Sequence, residues 1–150
     1  MRVEVDGLDQ VIDQMARMGE LTGKAARAML KAGANETQRE WIATIKRMGH
    51  VRTGDMWRAV AATRVRKKGG LLETAVYPQG SSTKGVHKKQ TTANALKAYV
   101  IHHSRPGDGM VDKITKNAAP DVEQAMGNVW GEFVNTGKVP KVQAKGMGED

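Results

Sequence analysis

Two adjacent histidines, His102 and His103, sit beside Ser104 and a few residues before Asp108 and Asp112, and this is the stretch whose side chains come nearest to metal or hydrolytic chemistry. A metal site needs ligands that converge. Neighbouring histidines on a helix or strand project in different directions, and nothing in the chain resembles HExxH or another ordered ligand set. His102, His103, His50 and His87 therefore read as partly exposed surface side chains. The glycine-bearing stretches 49–53 and 80–85 lack the Lys-Ser/Thr pair that completes a phosphate-binding loop after a strand. Ser81, Ser82 and Ser104 have no nucleophile-elbow context, and no two carboxylates stand out as an acid and base couple. The chain has no cysteine, which removes disulfides, thiolate metal sites and thiol nucleophiles. These exclusions predict a protein that is not an enzyme and needs no cofactor.

Charge is the stronger signal. Residues 44–105 carry thirteen basic and two acidic side chains, whereas 1–43 carry six and seven and 106–150 carry five and seven, so the central stretch holds the excess behind the net charge of +8. Such segregation favours an acidic partner, either nucleic acid or the acidic face of another protein. Arg64, Arg66, Lys67, Lys68, Lys84, Lys88 and Lys89 are the candidates for a partner-facing or DNA-facing basic surface. Arg64 to Lys68 can equally protect a sheet edge from indiscriminate pairing. Contact with phosphates would be without sequence reading, because only Trp57, Tyr77 and Tyr99 are placed to stack and no zinc finger, basic zipper or RNP motif is present.

These residues must be positioned by elements that the pattern also predicts. Val3 and Val5 alternate with polar neighbours as a short strand ending at Gly7. Leu8, Val11, Ile12, Met15 and Met18 recur at helical spacing, with Gly19 closing that pattern. From Glu20 to Met48 a single long helix is expected, bent near Gly33, with a narrow alanine-rich face for close packing and Trp41 and Ile42 as heavy anchors. The passage Arg52-Thr53-Gly54-Asp55-Met56-Trp57 is a structural joint: Thr53 is read as an N-cap, Asp55 favours the positive end of the new turn, and Met56 and Trp57 are apolar anchors.

Beyond the joint, Thr63–Lys68 and Leu71–Tyr77 read as strands joined by Gly69-Gly70, with Leu72, Thr74 and Val76 on one face and Leu71, Glu73, Ala75 and Tyr77 on the other. Residues 79–92 are expected to form a mobile loop. Residues 93–103 read as helix in their first half, with the second half open between helix and strand. After the breaker cluster Arg105–Gly109, Pro120 is expected to begin the final helix, whose apolar stripe runs from Val122 to Phe133. The chain thus predicts an α+β fold: a long N-terminal helix packed on a small antiparallel sheet, with a C-terminal helix. Residues 1–135 make one domain, and 136–150 a flexible tail that could order against a neighbouring subunit.

With 6 aromatic residues, 17 glycines and 9 methionines in 150 residues, the core should be thin, and burial against a second copy would supply what it lacks. The opening residues lack the apolar centre of a signal peptide and no apolar run reaches bilayer length, so an aqueous, cytosolic setting is expected, with no membrane partner.

The order of these pieces resembles a family of small tailed-bacteriophage proteins of the neck and tail-completion region. The opening Val3-Glu4-Val5-Asp6-Gly7-Leu8-Asp9, the alanine-rich helix, the Arg52-Thr53-Gly54 turn followed by Met56-Trp57-Arg58-Ala59-Val60, and the basic Gly69-Gly70 hairpin carry the resemblance over residues 1 to 78. The second half departs from it: Ala98-Tyr99-Val100-Ile101-His102-His103-Ser104 stands where the family tends to carry Glu-aromatic-Gly-Thr. The resemblance implies a virion structural protein assembled in the host cytoplasm. It would form a ring of its own copies, a hexamer, at the junction of tail and capsid. Its neighbours would be neck, connector, tail-terminator and tail-tube proteins, with non-specific contact to genomic DNA. A small basic nucleic-acid-binding module is the alternative reading.

Overall fold

The computed structural model describes residues 8–49, 54–82, 92–104 and 109–147. Helix α1 runs Leu8–Arg47, followed by a single turn, α2, at Asp55–Arg58. Strands β1 (Val60–Ala62), β2 (Arg66–Lys68), β3 (Leu71–Glu73) and β4 (Val76–Pro78) come next, then β5 (Ser81–Ser82) and β6 (Thr92–Ala93). Helices α3 (Asn94–Ser104) and α4 (Met110–Thr136) complete the elements, and the fold is α+β with antiparallel strand pairs. The expected strand at Val3–Val5 lies outside the described residues.

Gly19 does not close a helix. α1 is continuous for 40 residues, because local pairs carry it over the weak residue: the Thr22 hydroxyl donates to the Met18 carbonyl at 2.8 Å, and Lys24 pairs with Glu20 at 2.7 Å. A glycine costs about 1 kcal/mol against alanine, too little to stop a helix otherwise supported. The Lys24 hydrogen bond, and then its charge, hold the Glu20 carboxyl below its ordinary range.

Helix α4 packs antiparallel along α1. Ala28 and Ala32 meet Val129, Gly33 lies under Val122 and Met126, and Asn117 donates to the Glu40 carboxylate at 3.1 Å. The expected close-packing face is therefore used. A Cβ on Gly33 would stand 3.1 Å from Val122 Cγ1 and 3.2 Å from Met126 Sδ, so the small residue sets the approach of the two axes. Pro120 does not begin α4 but lies inside it, ten residues beyond Met110, and Gly109 with φ 44° is the cap. The proline removes one amide and crowds the preceding turn. Buried Ile114 and Ala118 before it and Val129 after it bind both halves to the core, while Pro120 itself is exposed.

At the far end of α1, Trp41 and Ile45 close a core with Met56, Val60, Ala98, Met110 and Ile114. The hairpin rises from this core. β1 pairs with β4 through Val60↔Pro78, Ala61↔Tyr77 and Ala62↔Val76, and β2 with β3 through Arg66↔Glu73, Lys67↔Leu72 and Lys68↔Leu71. Between the two ladders, residues 63–65 on the first strand face only 74–75 on the second, which is a bulge that bends and twists the tip. Gly69 and Gly70 have φ of 56° and 83°, the tight turn expected of them. Leu72, Thr74 and Val76 are half-buried while Leu71, Glu73, Ala75 and Tyr77 are exposed, as the alternation predicts.

Two further expectations need correction, and one left open is decided. The strand begins at Val60 rather than Thr63, since buried Val60, Ala61 and Ala62 are drawn against α1, and Gln38 donates to the Val60 carbonyl at 2.9 Å. The loop 79–92 is not free throughout: its ends pair as Ser81↔Ala93 and Ser82↔Thr92, and Asn94 ties to the Gln79 carbonyl at 2.9 Å. The region 93–103, left open in its second half, is helical to Ser104.

The chain after α4 also departs from the expectation of a free tail. Gly137, at φ 67°, turns it back, and residues 138–147 run as a strap over the same elements. Val139 and Val142 pack against the Ala28, Ala32 and Val129 cluster, and Ala144 and Met147 against Ala34 and Ala62. Asn35 donates to the Gln143 carbonyl at 2.7 Å, and Lys145 Nζ donates to the Arg58 carbonyl. The small side chains of α1 leave a shallow trough, and the strap fills it.

Candidate functional site

The basic hairpin is the most distinctive surface of the described residues. Arg64, Arg66, Lys67 and Lys68 are all exposed, and Arg64 sits in the bulge between the two ladders. Arg66 stands opposite Glu73 across the ladder, and Leu71 beside Lys68 is 75% exposed, so the tip offers cations around an apolar residue. Such a surface suits an acidic partner with some apolar area. Lys84, Lys88 and Lys89 lie outside the described residues.

The joint is built around Trp57. Lys46 Nζ lies 4.2 Å from the indole centroid and Arg58 Cζ 5.0 Å, so two cations from α1 and α2 contact one half-buried ring. Gly54 takes the cap position with φ 73° and no side-chain cap bond. Thr53, expected there, and Arg52 lie outside the described residues. A Cβ on Gly54 would stand 3.2 Å from Trp57 Nε1 and 3.3 Å from Arg58 Cζ, so glycine answers both the left-handed backbone and the close ring. Asp55 occupies the first turn, as expected of an anion near amide donors.

His102 and His103 take structural positions, while His50 and His87 lie outside the described residues. His102 Nδ1 accepts the Val111 amide at 3.2 Å, joining α3 to α4, and the His103 ring lies 4.3 Å from that of Tyr99 and 4.5 Å from that of His102. Among the described residues no group of three or more His, Asp or Glu side chains is gathered to hold a metal ion.

One surface went unread in the sequence. α3 buries Asn94 and Ala98 but leaves Leu96, Tyr99 and Val100 53%, 62% and 53% exposed. The signal was available in the spacing: Leu96, Tyr99, Val100 and His103 share one helical face, separate from that of Ala98 and Ile101.

Long paired helices that carry a basic hairpin and an uncovered apolar helix face define a scaffold that presents surfaces to other macromolecules. Residues 9–141 match the family described as "Bacteriophage HK97-gp10, putative tail-component", and the chain belongs to this HK97-gp10-like family. No curated protein and no solved structure matches it. The tailed-phage resemblance carried by the first half of the sequence is thereby borne out, and the chain's role is that of a structural component of a phage tail. Among the described residues no helix is long and apolar enough to cross a membrane.

Proposed function

We propose that the chain is a non-catalytic subunit of the neck or upper tail, where copies of it form a ring, a hexamer, that completes the tail and joins it to the head. The observation that supports this reading is apolar surface at both extremities of one subunit, on α1 at Met18 and on α3 at Leu96, Tyr99 and Val100, which a solitary molecule leaves wet. The basic hairpin faces acidic surfaces of adjoining neck, connector, tail-terminator or tail-tube proteins, or the genome as it passes. Gly54 and Trp57 join the hairpin to the end of α1, where Lys46 contacts the indole ring.

Electron microscopy of virions produced with and without the chain tests the reading. Loss should yield filled heads and unattached tails, and averaged particles should show a ring of density at the junction. Particles that assemble and infect normally without the chain would defeat it.

A second reading, a basic module that binds nucleic acid, is favoured by the hairpin alone. It predicts binding of duplex DNA by the purified chain, weakening steeply with salt.

A further inference from the structure

The strap is anchored from Val139 onward and bare at its root. Gly137 and Lys138 are exposed, and a Cβ on Gly137 would meet nothing within 4 Å. The turn there is held locally: the Thr136 hydroxyl donates to the Glu132 carbonyl at 2.7 Å and accepts the Lys138 amide at 3.2 Å. Beyond it, Val139 and Val142 hold to Ala28, Ala32 and Val129, and Ala144 and Met147 to Ala34 and Ala62. Asn35 bonds to the Gln143 carbonyl and the Ala62 amide to that of Lys145. A segment anchored on other elements and joined through an unpacked glycine can leave one body and enter an identical one with every contact remade, which is the condition for exchange between copies.

The trough it fills is selective. Gly146 enters with φ 98°, and a Cβ there would collide with the Ala62 carbonyl oxygen, so an occupant needs a glycine directly after the residue whose carbonyl accepts the Ala62 amide. Buried Met147 follows at once. The trough also needs its cover, because Ala28, Ala32, Ala34 and Ala62 are buried with the strap in place. The segment that meets these demands is the strap itself, from the same copy or from another.

We propose that in the assembled tail the strap of each copy crosses into the trough of the next. Val129 lies against Ala28 and Ala32 in an antiparallel pair, so Thr136, seven residues on, is level with Leu21, seven residues back, while α1 continues to Leu8. Met18 and Leu21 of α1, with Trp130 and Val134 of α4, therefore stand at the end of the subunit where the strap begins, and all four are exposed. Val139 follows Gly137 by two residues, ~7 Å of extended chain, so a strap that crosses draws the neighbouring body against this apolar end. A strap closed on its own body leaves it wet. Each copy gives its strap to one neighbour and receives one from the other, a head-to-tail contact that closes into a ring when the rotation allows. The exchange rests on the self-association proposed above and names the segment that carries it.

Cross-linking is the test, since the chain has no cysteine. Asn35 Nδ2 stands 2.7 Å from the Gln143 carbonyl oxygen, so thiols at these two positions are within reach of a short bismaleimide. The dilute purified chain carrying both Asn35→Cys and Gln143→Cys should link within itself and run as a monomer. Phage in which singly substituted Asn35→Cys and Gln143→Cys chains are produced together should yield a linked dimer from virions, and phage with either variant alone should yield none. Gly137→Val gives a second readout. The left-handed backbone that closes the strap is unfavourable for valine, so the concentration at which purified copies assemble should fall by about fivefold or more, with circular dichroism unchanged. Absence of the dimer from mixed virions that show the ring in electron microscopy, or a Gln143→Cys strap linked to a different virion protein, overturns the exchange and leaves the ring standing. Assembly impeded by Gly137→Val overturns it as well. Virions with neither dimer nor ring overturn both readings.

Discussion

The amide of Ala62 donates to the carbonyl of Lys145 at 2.8 Å, which adds the end of the strap to the edge of β1. The next residue, Gly146, has φ 98°, and a Cβ there would collide with the Ala62 carbonyl oxygen and stand 3.1 Å from Ala61 Cβ. The last part of the chain is thus fitted to the first strand, and α1 lies beneath both.

Gly146→Ala should lift the strap. The left-handed backbone alone costs an L-residue about 1–2 kcal/mol, and the collision adds to it. The expected result is a lowered urea midpoint, together with faster exchange of the Ala62 amide than in the parent chain.

Gly33→Leu should separate α1 from α4. The new side chain has no room beside Val122 and Met126, and overpacking of this kind costs about 1–3 kcal/mol. Thermal unfolding followed by far-ultraviolet circular dichroism should show a lower midpoint with the folded-state helix signal kept.

Pro120→Ala should stabilise. The proline is exposed in the middle of a 27-residue helix, so alanine restores an amide donor without disturbing the core. Proline in a helix interior is about 3 kcal/mol worse than alanine, and a gain of about 1 kcal/mol or more in chemical denaturation is the expected share. A loss would mean that the proline itself is needed at this position.

Changing Arg64, Arg66, Lys67 and Lys68 together to Ala should leave stability nearly unaltered, since all four are exposed. Binding to an acidic partner should weaken. If the partner is duplex DNA, the slope of log affinity against log salt should flatten by about 0.9 for each phosphate that is no longer neutralised. An unaltered slope would leave these residues as guards of the sheet edge.

The hairpin was legible because its signals are local. Gly69-Gly70 can adopt positive φ without strain, and the alternation from Leu71 to Tyr77 follows the pleat. The basic surface was legible as charge, though only the fold shows the bulge that carries Arg64. Gly19 and Pro120 misled for a common reason. Each is a strong local cue, outweighed by Thr22 and Lys24 at the first and by Ile114, Ala118 and Val129 at the second. The strap was hidden because Val139, Val142, Ala144 and Met147 follow no single period. They dock into a trough between other elements, and the spacing of such contacts is set by α1 and α4 rather than by the strap.

The unbroken run of α1 past the end of α4 has a geometric corollary. A straight helix turns about 100° per residue, so the bearing of Met18 is locked in phase with that of Ala25, without any hinge between them. Inserting one residue at 22–24 would swing the projecting end through about 100° while leaving the body of the subunit as it is, and inserting seven would lengthen the reach by ~10 Å and nearly restore the original heading. Reach and heading at the tip are therefore tunable separately from stability.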